Sequence, residues 1–268
     1  MTHRFFVPAE WLRGDPIDIA GGLAHRIADV LRLRPGEQIV LLDNSGWEYR
    51  VELVRVASLQ ATGIIRGKSL ATQEPRTKIT LYQALLKGDH FEYVLQKGTE
   101  LGVIEFVPLI CDRCVVATMS QASAKLARYQ RIILEAAEQC GRAKFPALRP
   151  AILFRQACEQ NAGRGLSLIP WEGERVQSLK GIIGERAVSA SKQAREGEGS
   201  VSRPGLRPRP FSVSLFIGPE GGFSPEEVSW AQRYGIVPVT LGPRILRAET
   251  AGLAATAAIL YEFGDLGG

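Results

Sequence analysis

No apolar run in this sequence approaches the ~20 residues that a membrane span needs. The longest candidate, Leu215 to Leu241, is cut by Gly218, Pro219, Glu220 and several other polar residues. The opening stretch, Met1-Thr2-His3-Arg4-Phe5-Phe6-Val7-Pro8, lacks the apolar segment and small-residue cleavage site of a secretory signal, so we expect a cytosolic protein without membrane attachment. Cysteine is scarce, with four among 268 residues. That number does not suggest a disulfide frame in a cytosolic chain of this size. Cys111 and Cys114 form one C-x-x-C, but no second pair or His-x-His partner stands at zinc spacing, and Cys140 and Cys158 stand alone. We expect no metal and read the pair as small residues at a strand end. A Walker phosphate loop and a G-x-G-x-x-G fingerprint are also missing, which speaks against a nucleotide-dependent α/β enzyme.

What is present is an ordinary globular composition, 45% hydrophobic and 23% charged. At about 150 residues per domain, the length predicts roughly two domains. Lys plus Arg total 33 against 28 Asp plus Glu, a formal charge of +5. That excess is a mild pointer to a polyanionic partner.

Residues 1–72 read as a small β-rich unit. Gln38 to Leu42 is a strand, Asp43-Asn44-Ser45-Gly46 a turn cluster, and Trp47 to Val54 the return strand. Thr62 to Arg66 supplies a further strand, and Leu23 to Leu31 a short helix ending before Pro35-Gly36. Several short strands with tight turns suggest a small barrel. Polar Ser69 to Thr77, with Pro75, marks the boundary, and residues 73–268 form the second domain. There strands alternate with helices: Ile79 to Leu86, a helix capped by Asp89 and running to Leu101, Ile104 to Ile110, a long helix from Ser123 to Cys140, Leu166 to Ile169, Val213 to Ile217, Ile236 to Leu241, and a last helix, Glu249 to Phe263. Such alternation predicts an α/β fold, a mostly parallel sheet with helices on both faces. Residues 190–210, rich in Arg, Pro and Gly, read as a mobile loop, either a solvated linker or a basic arm that touches RNA.

Two stretches stand out chemically. In Ile217-Gly218-Pro219-Glu220-Gly221-Gly222-Phe223-Ser224-Pro225-Glu226-Glu227 a buried strand ends in a glycine-rich turn that feeds a helix. Ser224 is the expected N-cap, Pro225 fits the first helical position and Glu227 completes a capping box. The glycines let the backbone approach a ligand closely, at the strand end where open α/β sheets bind ligands. The second stretch, Leu241-Gly242-Pro243-Arg244-Ile245-Leu246-Arg247-Ala248-Glu249-Thr250-Ala251, repeats the strand, Gly-Pro, loop, helix order. Two such units suggest two walls of one pocket. The last helix, nearly all small or apolar, is expected in a core or a subunit interface. Lys97 and Glu100 read as a surface pair, as do Glu138 and Arg142 at a helix end, and His25 and His90 read as ordinary polar residues.

Together Arg4 to Val7, Lys97 to Val103, Glu138 to Arg142, Ile217 to Phe223 and Leu241 to Ala251 resemble the SPOUT class of S-adenosylmethionine-dependent RNA methyltransferases. Within that class they resemble the ribosomal RNA small subunit methyltransferase E family, which methylates uracil N3 of a uridine in 16S ribosomal RNA. The resemblance implies a PUA-like β-barrel that helps hold RNA, followed by a SPOUT domain whose parallel sheet carries a trefoil knot. It implies a homodimer with S-adenosylmethionine held in the knot. Ile217, Gly218, Gly221 and Gly222 would form one wall of the cofactor site, and Leu241, Gly242, Ile245, Leu246, Glu249, Thr250 and Ala251 the other. Trp171-Glu172 is a further candidate contact. Against that family, the segment at 190–210 looks like an insertion.

Methylation of N3 needs positioning, loss of the N3 proton and stabilisation of charge on the uracil oxygens. Arg142 and Arg247 are the candidates for that charge, and Glu138 or Glu100 for the proton. Arg4, Lys125, Arg128, Arg131 and Lys144 are candidate phosphate contacts. Two alternatives stay open: another SPOUT enzyme acting on a ribose 2′-hydroxyl or a guanine, and a non-catalytic RNA-binding protein.

Overall fold

The computed structural model describes residues 2–115, 123–185 and 212–267. The expected insertion at 190–210 lies outside the described residues. The chain divides into two compact units, Met1–Glu74 with Leu134–Phe145, and Pro75–Ile133 with Pro146–Gly268. The first unit thus takes in a segment that lies well beyond the 72/73 boundary in sequence.

In the first unit, strands β1 (Arg4–Phe6), β2 (Ile17–Ala20), β3 (Gln38–Leu42), β4 (Trp47–Val56) and β5 (Gln60–Leu70) form one five-stranded sheet in the order β1-β3-β4-β5-β2. β1 pairs with β3 in parallel and the other neighbours are antiparallel. The expected turn closes β3 onto β4: Asn44 and Gly46 have positive φ, and the Ser45 amide donates to Asp43 Oδ1 at 3.0 Å. Alternate residues of these strands face one core, built from Phe5, Ile17, Ile19, Ile39, Leu41, Val51 and Leu53. The expected helix at 23–31 is a short α1 (Gly21–His25) that widens into a π turn over Arg26–Val30. Its Ile27 completes the core.

The second unit holds a sheet in the order β12-β10-β11-β6-β7-β8, with every neighbouring pair parallel. Its strands are β6 (Lys78–Ala84), β7 (Glu105–Ile110), β8 (Ala147–Leu148), β9 (Ile152–Leu153, paired with β7), β10 (Leu166–Pro170), β11 (Ser212–Ile217) and β12 (Val237–Val239). Between them run α2 (His90–Leu101), α3 (Leu126–Cys140), α4 (Phe154–Asn161), α5 (Pro225–Arg233) and, at the end, α6 (Ala248–Glu262). Helix α3 starts in the second unit and ends in the first. The α/β class with a parallel sheet is as the alternation predicted. β6, β10 and β11 are buried over most of their length, as strands covered on both sheet faces are: Ile79, Leu81, Leu168, Leu215 and Phe216 have no exposed surface, and Gln83, Ser167 and Ser214 are buried with them. Asp89 occupies the N-cap of α2 without a side-chain capping bond, so the cap expected there does not form. Helix α6 packs Gly252, Ala255, Ile259 and Leu260 inward. A Cβ at position 252 would lie 3.0 Å from Gln83 Oε1 and 3.4 Å from Ile217, so a larger residue there would require the Gln83 side chain to shift by a few tenths of an ångström. Among the described residues no helix is long and apolar enough to cross a membrane.

Candidate functional site

The sheet order reverses at β6. The chain leaves it on one side for β7 and later returns on the other with β11. Parallel sheets bind ligands at the carboxyl ends of strands near such a point. A cavity of about 740 Å³ lies there, lined by residues that follow β10, β11 and β12 and by the first turns of α2 and α6.

The glycine turn forms one wall. Gly222, at φ 68°, donates to the Pro219 carbonyl at 2.9 Å, closing a turn that an L side chain would strain. The turn is held from three sides. The Ser224–Glu227 capping box forms as expected, and Glu227 Oε1 also accepts the Asp112 amide at 3.0 Å. Burial pushes the Glu227 carboxyl up, against the two amide bonds that hold it down. The Arg113 guanidinium donates to the Gly221 carbonyl at 2.9 Å, and Glu220 Oε1 accepts the Lys87 amide at 2.9 Å. Arg113 sits between Cys111 and Cys114, which are free thiols just after β7. Their mutual hydrogen bond raises the Cys111 pKa and lowers that of Cys114. Among the described residues no His, Cys, Asp and Glu group is arranged to hold a metal.

The second wall is the loop from Thr240 to α6. Gly242, at φ 115°, donates to Thr240 Oγ1 at 3.2 Å. Leu241 and Leu246 are half-buried, while Ile245 is 84% exposed and presents its side chain at the cavity. Arg247 is the N-cap of α6, and its carbonyl accepts the Ala251 amide at 2.8 Å. Glu249 is nearly buried, with Oε1 3.5 Å from His90 Nδ1 and 4.0 Å from the Arg247 guanidinium. Glu172, Glu220 and Glu249 face Arg175, Arg244 and Arg247 around one space.

Of the expected cofactor residues, all but Gly221 and Thr250 line this cavity, and Arg247 joins them. Gly221 turns its carbonyl to Arg113 instead, and Thr250 is exposed on α6. Trp171 and Glu172 line it as well. Sequence reasoning missed His90, Arg175 and Phe223. The available signal for His90 was its place in a third strand, loop, helix unit, after β6 and Gly88.

Arg142 and Glu138 are not among the lining residues. Both lie in the first unit. Arg142 is buried, with Nη2 2.8 Å from Glu74, whose carboxylate also accepts the amides of Ala143 and Lys144. Glu138 accepts the Phe6 amide at 3.1 Å and pairs with Arg26 at 2.8 Å. These contacts give Arg142 and Glu138 partners within the first unit. Glu100 pairs with Lys97 at 2.7 Å, the expected surface pair. Arg4 is largely buried against Glu48 and Arg128 is paired with Glu92, so neither presents an uncompensated charge. Lys125, Arg131 and Lys144 are exposed.

An RNA methyltransferase domain model matches residues 72–260. The chain is similar to the ribosomal RNA small subunit methyltransferase E of Bacillus subtilis, with 32% identity over 91% of this chain and 89% of the relative. It is similar to the protein of the same name from Synechocystis, with 31% identity over 97% of this chain and 77% of the relative. Among solved structures it is similar to a ribosomal RNA small subunit methyltransferase E from Neisseria gonorrhoeae bound to S-adenosyl methionine. There the TM-score is 0.79 and the identity 31%, covering 97% of this chain and 98% of the other.

Proposed function

Because the chain belongs to the RNA methyltransferase family, in the group of ribosomal RNA small subunit methyltransferase E, we propose that it methylates uracil N3 of a uridine in 16S ribosomal RNA, with S-adenosylmethionine as the methyl donor. The observation that carries this reading is the cavity at the ends of β10, β11 and β12, lined by both strand, Gly-Pro, loop, helix units.

The residues present fit S-adenosylmethionine. A Cβ at Gly218 would lie 3.1 Å from Phe223, so the turn has little room for a side chain there and borders the cavity with bare backbone. Leu241, Ile245 and Leu246 supply apolar cover for an adenosine, and Glu172, Glu220 and Glu249 supply negative charge for a cationic donor. When bound, the sulfonium supplies an activated methyl group and its own leaving group. The protein then has to orient the base, exclude water and manage the N3 proton. Arg247, an exposed residue of the cavity lining, supports the reading that a guanidinium meets negative charge on the uracil oxygens. N3 is shielded in a base pair, so the target base enters single-stranded or turned outward.

We read the first unit as the PUA-like barrel that holds RNA and the end of the second as a trefoil knot. The mostly small outer face of α6, with exposed Ala254 and Ala258 and with Tyr261 67% exposed, supports a homodimer contact. Lys125, Arg131 and Lys144 supply the salt-dependent part of RNA affinity.

The test is to incubate the protein with methyl-labelled S-adenosylmethionine and small ribosomal subunits lacking the modification, then identify the labelled nucleoside. Label in 3-methyluridine is expected. Label in another nucleoside overturns the uracil N3 assignment, and no label with no cofactor binding by calorimetry overturns the enzymatic reading.

A further inference from the structure

A proton must leave uracil N3 as the methyl arrives, and the carboxylates expected from sequence, Glu138 and Glu100, are both engaged in pairs and are not among the residues that line the cavity. The cavity has its own candidate. His90 is the only histidine lining it, at the first position of α2, with its side chain 45% exposed. Its Nδ1 lies 3.5 Å from Oε1 of Glu249, whose side chain is 13% exposed. The two residues come from separate strand, loop, helix units. The loop before His90 is fixed to the glycine turn by the Lys87 amide on Glu220. We propose that His90, oriented by Glu249, accepts the N3 proton of the target uracil.

The chemistry follows from the geometry. A carboxylate at Nδ1 favours the tautomer with hydrogen on Nδ1, which leaves the Nε2 lone pair as the acceptor. At 3.5 Å the two groups form a close contact short of a hydrogen bond, and catalytic contacts of this kind often tighten once substrate binds. As N3 forms its bond to the methyl carbon, the methyl–sulfur bond breaks and its electron pair stays on sulfur. The N3 proton passes to Nε2, giving 3-methyluridine, S-adenosylhomocysteine and an imidazolium paired with the Glu249 carboxylate. The charged groups that line the same cavity are Glu249, Arg247, Arg244, Glu220, Glu172 and Arg175, and Lys87 and Asp89 precede His90 in the chain. Glu249 acts through His90 and is a positioning residue.

The inference rests on the proposed uracil N3 methylation. The experiment compares the full-length wild type with His90→Gln and Glu249→Gln. It reads kcat and KM against pH on unmodified small subunits, S-adenosylmethionine affinity by calorimetry, melting temperature, and the tautomer of His90 from imidazole ¹⁵N shifts in the free protein. His90→Gln is expected to lower kcat about 100-fold, the low end of general-base effects. Cofactor affinity and melting temperature stay near wild type, and the acid limb of the kcat profile disappears. Glu249→Gln shifts the free-protein tautomer away from Nδ1–H and lowers kcat more than it raises KM. Should His90→Gln fold poorly, His90→Ala with added imidazole replaces it, with rescue of kcat expected. A His90→Gln enzyme with kcat within about threefold of wild type and an unchanged pH limb overturns the proposal while leaving the methyltransferase reading intact. A wild type that methylates no uridine overturns both.

Discussion

Ser224 and Glu227 exchange hydrogen bonds at the start of α5, the Glu227 amide donating to Ser224 Oγ at 3.1 Å and the Ser224 amide to Glu227 Oε2 at 2.9 Å. The other Glu227 oxygen holds the loop after β7 through Asp112. One buried carboxylate therefore ties the glycine turn to its helix and to a neighbouring loop. Ser224→Ala removes one capping bond and is expected to cost about 1 kcal/mol. Glu227→Ala leaves two amides without partners and is expected to cost about 2–6 kcal/mol, at about 1–3 kcal/mol for each unsatisfied buried group. Denaturant titration of the two variants checks the ranking. Equal costs would mean that the Asp112 bond contributes nothing.

Gly218 opens the glycine turn where the backbone meets the cavity. A Cβ there would stand 3.1 Å from the Phe223 ring and 3.3 Å from the Gly222 carbonyl carbon, and Phe223 is itself buried. Gly218→Val adds branched methyls that must push either the core or the turn, at a cost of about 1–3 kcal/mol. The turn borders solvent-accessible space, so it yields first. S-adenosylmethionine affinity is expected to fall at least about tenfold, equivalent to about 1.4 kcal/mol. Calorimetry measures it, with circular dichroism to show that the fold persists. Unchanged affinity would place the cofactor elsewhere.

Local chemistry was legible in the sequence wherever neighbours along the chain decide it. The Ser-Pro-Glu-Glu run at 224–227 fixed a helix start, Asn44 and Gly46 fixed a turn, and the apolar stretches at 79–86 and 213–217 marked the strands β6 and β11. Contacts between distant segments were not legible. β1 pairs in parallel with β3 across more than thirty residues, and no local period announces that. Arg142 looked like half of a surface pair with Glu138 because helix spacing is all a sequence offers. The partner the fold gives it, Glu74, is 68 positions away, and no helix spacing announces that. His90 was passed over because one polar residue at a helix start has no pattern, and only folding brings Glu249 beside it.

The Arg142–Glu74 pair makes a prediction that separates structure from catalysis. The Arg142 side chain is 5% exposed and that of Glu74 is 17% exposed, and the carboxylate also takes two backbone amides. Removing one member of such a buried pair strands the other, which costs about 3–5 kcal/mol. Arg142→Ala is expected to lower the melting temperature by several degrees. Methyl transfer per folded molecule, measured well below that temperature, is expected to stay within a few-fold of wild type. A rate loss of about 100-fold or more with unchanged melting would return Arg142 to the chemistry.

Asp265 gives the fold an acid-sensitive point at the end of the second unit. Its carboxylate accepts the amides of Arg76 and Thr77, both at 2.8 Å, and its side chain is 6% exposed. Burial alone would raise its pKa, but the bonds from Thr77 and Arg76, with the Arg76 charge, outweigh it and hold the carboxyl below its ordinary value. A depressed folded-state pKa contributes stability that is complete above the unfolded value, about 3.9. That contribution is lost as pH falls through the lower folded value. Asp265→Asn removes the charge at every pH and offers one acceptor to two amides. It is expected to lower stability at pH 7 by about 1.5–3 kcal/mol, the range for hydrogen bonds to charged groups. The variant should also lose less stability than wild type between pH 5 and pH 3, since its amide does not titrate. Parallel melting curves over that range would show the two proteins converging on acidification, and curves that stayed a constant distance apart would show that Asp265 carries no proton-linked stability.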